Sequence, residues 1–292
     1  GSGTIAERAV DWDGYTGVMP MTSATMAEVL KNYGYKTSAF GKWHNTPADQ
    51  TTAMGPFTYW PTGYGFEHFY GFLAGETSQW EPRLVENTTA IEPPHDETYH
   101  LTEDMADKGI EWLKKHRAFS PDKPFLMYWA PGGVHGPHHV NEKWADKYKG
   151  KFDQGWDKLR EEIFSRQKQT GWIPADTELT PRDKTMAAWA DVPASERAFQ
   201  TRLMEVFAGF VEHTDAQVGK VVDFLDQTGL RDNTIICASY GWAWMPPSAL
   251  AKLPQPNSVV GERYVFLGGY QLRSTDGGHS WSAPVIPPRT EG

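Results

Sequence analysis

The protein has 292 residues and a formal net charge of −9, with 39% hydrophobic and 22% charged residues. That composition is typical of a globular protein. No run of about eighteen apolar residues occurs, so no membrane partner is expected. The acidic balance and the lack of a basic patch also exclude nucleic acid as an expected partner. No signal peptide is visible in residues 1–10, and the single cysteine, Cys237, leaves the cellular compartment open.

Helix and strand alternate in the first part of the chain. Residues 23–33 are predicted to form a helix, because apolar side chains recur there at the helical period. Thr25 and Glu28 can form a capping box at its start. A short strand is predicted at residues 36–40. The side chains expected to face inward from the helix are Met26, Val29, Leu30 and Tyr33.

The same alternation continues through the middle of the chain. Residues 63–72 are rich in Gly, Phe and Tyr and indicate a structured loop. A helix is predicted at residues 102–116 and a buried strand at residues 125–130. Residues 141–193 are charged and aromatic, which favours an insertion containing one helix near residues 157–169.

The longest predicted element is a helix at residues 195–227, and a buried strand is expected to follow it at residues 234–238. The apolar stripe of this helix is Phe199, Leu203, Val206, Phe207, Phe210, Thr214, Val218, Val221, Val222 and Leu225. The repeated order of strand, helix and strand predicts an α/β fold. Its sheet should be mostly parallel, with helices on both faces.

Side chains able to do chemistry follow two of the predicted strands. Lys42 and His44 lie two residues apart, a spacing that turns both the same way in extended chain. A lysine supplies a positive charge for an anion, and a histidine can move a proton near neutral pH. His135, in a turn rich in Gly and Pro, suits a general acid. Ligands of parallel sheets bind at the carboxyl ends of strands, so these three are the candidate catalytic residues.

Simpler interpretations of the same residues stay open at this stage. A lysine and a histidine in a loop can be ordinary surface residues. His135, His138 and His139 could instead form a zinc site, although no cysteine or acidic residue accompanies them at the usual spacing.

Several segments, in order, resemble the type I sulfatases and in particular their bacterial arylsulfatase branch. Gly41-Lys42-Trp43-His44, placed after a helix and a strand, resembles the second signature of that family. The other segments that resemble it are residues 62–72, 99–104, 122–139, 149–157 and 204–215. The resemblance covers about residues 14–236.

The resemblance implies an alkaline-phosphatase-like fold and an arylsulfatase-type hydrolase. In that family a formylglycine attacks sulfur, and a divalent cation, usually calcium, polarises the sulfate. By similarity, Lys42 would bind the sulfate and His44 would hydrogen-bond the formylglycine. His135 would protonate the leaving alcohol. The expected partner is a small-molecule or glycan sulfate ester.

The sequence departs from the family pattern towards both ends. No segment matches the nucleophile motif C/S-x-P/A-x-R or the first metal aspartates. Gly241 is followed by Trp242, Ala243 and Trp244 where the family has a G-D-N-G metal motif. We therefore expect a sheet that is incomplete at both ends and a catalytically incomplete chain without calcium ligands. A non-catalytic sulfatase-like binding module and a phosphate-ester hydrolase of the same superfamily remain alternatives.

The last part of the chain has a different character. Residues 264–267 and 269–273 are predicted to form a hairpin. Residues 274–281 resemble the Asp-box of sialidase-type propellers, a structural motif that shapes a turn. The expected division is therefore a partial sulfatase domain at residues 1–238 and a non-sulfatase tail at residues 239–292.

Overall fold

A computed structural model describes residues 18–19, 21–22 and 24–236, together with the backbone of residues 263–267 and 270–274. The chain divides into two compact units. The first comprises Gly1–Lys151 and Phe199–Phe224, and the second comprises Phe152–Ala198 and Leu225–Gly292.

The first unit is built on a five-stranded sheet with the order β4-β3-β2-β1-β5. Its strands are β1 (Lys36–Lys42), β2 (His68–Phe72), β3 (Leu84–Glu86), β4 (Thr89–Ile91) and β5 (Phe125–Ala130). Strand β1 runs parallel to both β2 and β5. The short β3 and β4 form an antiparallel hairpin at one edge. The α/β fold with a mostly parallel sheet is confirmed, whereas residues 63–72 are not simply a loop, because they contain β2.

Helices lie on both faces of this sheet, as predicted. Side chains alternate between the faces along each strand. One face buries a cluster that includes Ala39 of β1 and Ala27 of helix α1 (Met26–Asn32). The other face buries Phe40 of β1 with Met105 of helix α2 (Leu101–Phe119). The sheet is therefore the centre of a three-layer arrangement.

Helix α1 begins three residues later than predicted, but the predicted cap is present, because the Thr25 hydroxyl accepts a hydrogen bond from the Glu28 amide. The predicted inward face of α1 is wrong. Met26 and Tyr33 are 65% and 79% exposed, and Ala27 is the buried residue of the helix. The cause is the close approach of α1 to Gly65, where an added Cβ would lie 2.5 Å from the Glu28 backbone. The helix therefore packs through the side that carries its small residue, Ala27, and not through its large apolar side chains.

Helix α3 (Glu142–Ala145) is short, and α5 (Ala194–Gln227) is the longest helix, within one residue of the prediction. The predicted apolar stripe of α5 is only partly correct. Phe210 is buried, but Phe199 and Leu203 are 63% and 44% exposed. In the first unit, the residues of α5 buried at intervals of four are Thr201, Glu205, Gly209, His213 and Gln217. The buried face of this helix is therefore largely polar.

The second unit contains α4 (Gly155–Gln169), close to the predicted residues 157–169. An Asp157 carboxylate oxygen accepts a hydrogen bond from the Trp189 amide at 2.7 Å, and the Trp156 and Trp189 rings pack edge to face. In the described residues no helix has both the length and the apolar character needed to cross a bilayer.

The strand predicted at residues 234–238 is wrong over residues 234–236. These residues follow a 3₁₀ turn, Arg231–Asn233, without forming a strand. Ile235 and Ile236 are 66% and 44% exposed, so no strand among the described residues pairs with this apolar segment and buries it. Residues 237 and 238 lie outside the described part of the chain.

The hairpin predicted in the last part of the chain is confirmed. Strands β6 (Arg263–Leu267) and β7 (Tyr270–Ser274) pair antiparallel. Residues 275–281 of the predicted Asp-box lie outside the described residues. The Asp-box and the domain division at residue 238 therefore stay predictions.

Candidate functional site

The pairing of the parallel strands brings three chain segments to one edge of the sheet. Gly41 of β1 is opposite Gly71 of β2 and Ala130 of β5. All three strands run in the same direction, so the segments that follow them leave the sheet together. These segments are residues 42–44, 73–80 and 131–139, and they carry all three candidate catalytic residues.

Gly41 makes the close approach of these strands possible. A Cβ at this position would lie 2.1 Å from the Ala130 carbonyl oxygen and 2.4 Å from the methyl carbon of Met105. Its φ of 101° is also one that favours glycine. The residue before Lys42 is thus fixed as glycine by packing and by backbone conformation together.

His44 lies against the second of these segments. Its amide donates to the Leu73 carbonyl at 3.1 Å, and its φ is 45°. The imidazole covers the Gly75 backbone, where an added Cβ would lie 2.6–2.9 Å from three ring atoms. Although part of the ring is open to solvent, desolvation of the rest is the largest cause that lowers the pKa of His44. The positive charges of Lys42 and His135 lower this pKa further, so both residues lie within electrostatic reach.

Lys42 is the half-buried last residue of β1. In the part of the chain that the structure describes, no carboxylate forms an ion pair with Lys42. The lysine at the other end of the strand, Lys36, is paired with Glu67 at 3.0 Å. A half-buried ammonium group without a nearby carboxylate is suited to binding an anionic ligand.

His135 is oriented by two oxygen atoms near its Nδ1. The Gly136 carbonyl oxygen lies at 2.9 Å and a Glu76 carboxylate oxygen at 3.4 Å. The Gly136 carbonyl oxygen can only accept a hydrogen bond, so Nδ1 carries the proton and the lone pair of the neutral ring is on Nε2. The side chains of His135 and Glu76 are 55% and 64% exposed, and the ion pair is worth little in stability. Its contribution is to orientation.

The other two histidines of the loop have separate partners. The His138 ring packs on Phe207, and the His139 ring stacks on Trp80 with 15° between the planes. Within the described residues, no three His, Cys, Asp or Glu side chains are grouped so that they could hold a metal ion. The described residues therefore do not fit the divalent cation implied by the resemblance.

An open cavity of about 270 Å³ lies at the start of α2. Asp96, Glu103, Asp104 and Asp107 line it. Four carboxylates oppose the binding of an anion by charge repulsion. The edge of the sheet near Lys42 is therefore the better candidate for an anionic ligand.

Sequence reasoning missed the residues that support the site. Glu76 and Gly75 lie after the predicted loop of residues 63–72, in a segment for which the sequence predicted no element. Buried His100 and His213 come from two helices. Their spacing in the sequence gave no sign that they lie together, since the long-range packing of α2 and α5 brings them into contact.

Comparison with known proteins then identifies the family, because a model of the family described as Sulfatase matches residues 7–239. The chain belongs to the sulfatase family. An uncharacterized sulfatase of Schizosaccharomyces pombe is 30% identical over 239 residues, which is 76% of this chain and 41% of that protein. An arylsulfatase of Klebsiella aerogenes is 27% identical over 224 residues, which is 73% of this chain and 45% of that protein.

This sulfatase chain therefore spans less than half the length of these two relatives. Among solved structures, BT4656 in complex with its substrate D-glucosamine-2-N,6-O-disulfate gives a TM-score of 0.46 at 15% identity. The match covers 74% of this chain and 49% of BT4656. Ps i-CgsB in complex with k-i-k-neocarrahexaose gives 0.46 at 18% identity, covering 75% of this chain and 40% of that one.

Proposed function

We propose that the protein to which this chain belongs hydrolyses sulfate esters, and that Lys42, His44 and His135 take part directly. One observation supports this most. A lysine and two histidines, from two adjacent parallel strands, lie at one sheet edge, close enough for Lys42 and His135 both to lower the pKa of His44. The family membership and an arylsulfatase relative support the same reaction class.

Each residue has a role that follows from its chemistry. Lys42 binds an oxygen of the sulfate through its ammonium group. The lowered pKa of His44 keeps its imidazole neutral at pH 7, so that this ring can accept a hydrogen bond from a nucleophile. His135 gives the Nε2 proton of its imidazolium form to the ester oxygen while the bond from that oxygen to sulfur breaks. The sulfuryl group passes to the oxygen of the nucleophile, and the proton of that nucleophile passes to the neutral ring of His44. The products of this step are a neutral alcohol, the sulfated nucleophile, a neutral His135 and a protonated His44.

The substrate that we infer is a small-molecule or glycan sulfate ester. Phosphate-ester hydrolysis is the competing reaction, because a phosphate group would also bind the ammonium group of Lys42. The expectation that this 292-residue chain is catalytically incomplete also stays a prediction. If it is correct, the chain expressed alone gives no turnover, whereas the longer protein does.

The test is an assay of the whole protein on a chromogenic aryl sulfate and on the matching aryl phosphate. Lys42→Ala should lower kcat/KM for the sulfate by at least about a hundredfold, as expected when a charge-stabilising contact is lost. Lys36→Ala is the matched control, since it removes a lysine at the opposite end of β1 and should change kcat/KM less than about twofold. Equal losses in both variants, or preference for the phosphate, would contradict the proposal.

A further inference from the structure

The loop that carries His135 is attached at its far end to a buried histidine. His100, which is 1% exposed, places its Nε2 at 3.1 Å from the backbone carbonyl oxygen of His139. The same side chain caps α2, because its Nδ1 accepts a hydrogen bond from the Thr102 amide at 3.2 Å. One imidazole thus connects the start of a helix to the end of the loop.

These two bonds determine the tautomer of His100. An amide N–H can only donate and a carbonyl oxygen can only accept. Therefore Nδ1 must hold a lone pair, and Nε2 must hold the proton. Only this neutral tautomer satisfies both partners, and protonation of Nδ1 would break the cap.

The surroundings of His100 keep it in this neutral form. Burial, and then the nearby His213, lower the pKa of His100 to about 4. The two imidazole rings are 4.3 Å apart, and His213 is fully buried. His213 is directed in turn by a Glu103 carboxylate oxygen 2.9 Å from its Nε2. At neutral pH His100 is therefore in the form that makes both bonds.

Gln79 ties the same loop to the same helix a second time. The backbone N–H of Gln79 points to His139 Nδ1 at 3.4 Å. The backbone carbonyl oxygen of Gln79 accepts a hydrogen bond from the Leu101 amide at 2.8 Å. Its side-chain oxygen accepts from the Thr102 hydroxyl at 2.8 Å. The end of the loop is thus held by partly buried hydrogen bonds, whereas His135 itself is more than half exposed.

We propose that His100 is a positioning residue, which holds the His139 carbonyl and thereby sets where His135 stands relative to Lys42 and His44. The positioning rests on the geometry alone. Its catalytic consequence rests on the proposed sulfate-ester hydrolysis. If His135 protonates the leaving oxygen, its misplacement must harm substrates whose leaving group needs a proton more than substrates whose leaving group does not.

The first experiment needs no activity. His100→Asn keeps a side-chain oxygen that can cap α2, but its side chain is too short to reach the loop as well. Hydrogen exchange should rise in residues 131–139 and stay unchanged in β1. His116→Asn, on the same helix but far from the loop, is the matched control and should leave this exchange as it is. Unchanged exchange of residues 131–139 in His100→Asn would overturn the proposal.

The second measurement uses the unaltered chain, so it does not depend on a variant that folds. Imidazole ¹⁵N shifts should show His100 with its proton on Nε2 at neutral pH. A proton on Nδ1 instead would mean that the two bonds do not exist as described, and the proposal would be wrong.

The third experiment compares leaving groups in the whole protein. His100→Asn should lower kcat/KM for an alkyl sulfate by at least about tenfold, a part of what general acid catalysis contributes. For 4-nitrophenyl sulfate, whose leaving group needs no proton, it should change less than about threefold. Equal losses on both substrates would refute the positioning role. If the unaltered protein hydrolyses neither sulfate, the proposed function fails, and the exchange and ¹⁵N measurements still decide whether His100 holds the loop.

Discussion

The buried His100 should make the stability of the first unit depend on pH in a way that can be worked out from its surroundings. Its pKa falls from 6.5 to about 4 on folding. Because the folded pKa is below the unfolded value, the unfolded chain binds the proton more readily, and stability falls as pH falls between these values. The contribution is fully present above pH 6.5. Its full size, lost well below pH 4, is about 3.5 kcal/mol, at about 1.4 kcal/mol per pKa unit.

Urea unfolding followed by tryptophan fluorescence measures this effect. Between about pH 7.5 and pH 5, His100 should cost the wild type about 2 kcal/mol of unfolding free energy by this linkage. His68, His116, His139 and His213 also have lowered pKa values, so the wild type should lose more than this in total. The difference between wild type and His100→Asn isolates His100.

His95→Asn is the control for this experiment, because His95 is 66% exposed in its side chain and pairs with Glu81 at the surface. This variant should follow the wild type at both pH values. The reasoning is refuted if His100→Asn loses as much unfolding free energy on acidification as the wild type does.

Two further predictions concern glycines at the sheet edge. Gly75→Ala should displace the His44 ring, which an added Cβ would approach to 2.6 Å, and lower kcat/KM of the whole protein by about a hundredfold. Gly219→Ala in α5, where an added Cβ meets nothing within 4 Å, should keep kcat/KM near wild type; similar losses in both would contradict the role of His44. Gly41→Ala should lower the free energy of unfolding by at least about 2 kcal/mol, because its Cβ would collide with the Ala130 carbonyl and its φ is 101°. Gly219→Ala in α5, with open space around it, should stabilise slightly in the same urea assay, and a stable Gly41→Ala protein would show that the strand contact is looser than described.

The sequence predicted the central fold because its strongest signals are local. The bounds of β5 and of the long periodic helix α5 were predicted nearly correctly, but β5 is a half-buried edge strand and not the buried strand that its apolar run predicted. The β3–β4 hairpin was missed, since each strand has three residues and pairs mainly with its neighbour. The strand expected at residues 234–238 was wrong over residues 234–236, because an apolar run alone cannot specify a strand without a partner.

The candidate site was predictable only in part. Strand ends are visible in a sequence, so Lys42, His44 and His135 could be expected at one edge. Their supports could not be anticipated in this way. Glu76 depends on where the segment after β2 folds back, and His100 meets His139 only through the packing of α2 beside the loop. Residues that act through tertiary contacts leave no periodic pattern in the sequence.

The polar face of α5 has a consequence for how the chain finds its final arrangement. Glu205 accepts a hydrogen bond from the Gly150 amide at 2.8 Å, and His213 meets Glu103 at 2.9 Å. If α5 moved along its axis by one turn, these groups would stay buried but lose their partners. Each buried group left without a partner would lower the stability of the folded state by about 1–3 kcal/mol. An apolar face would tolerate such a shift, because contacts between apolar side chains are not directional. Only one axial position of α5 satisfies these buried polar groups, so a misplaced helix is disfavoured as soon as it packs against the rest of the first unit.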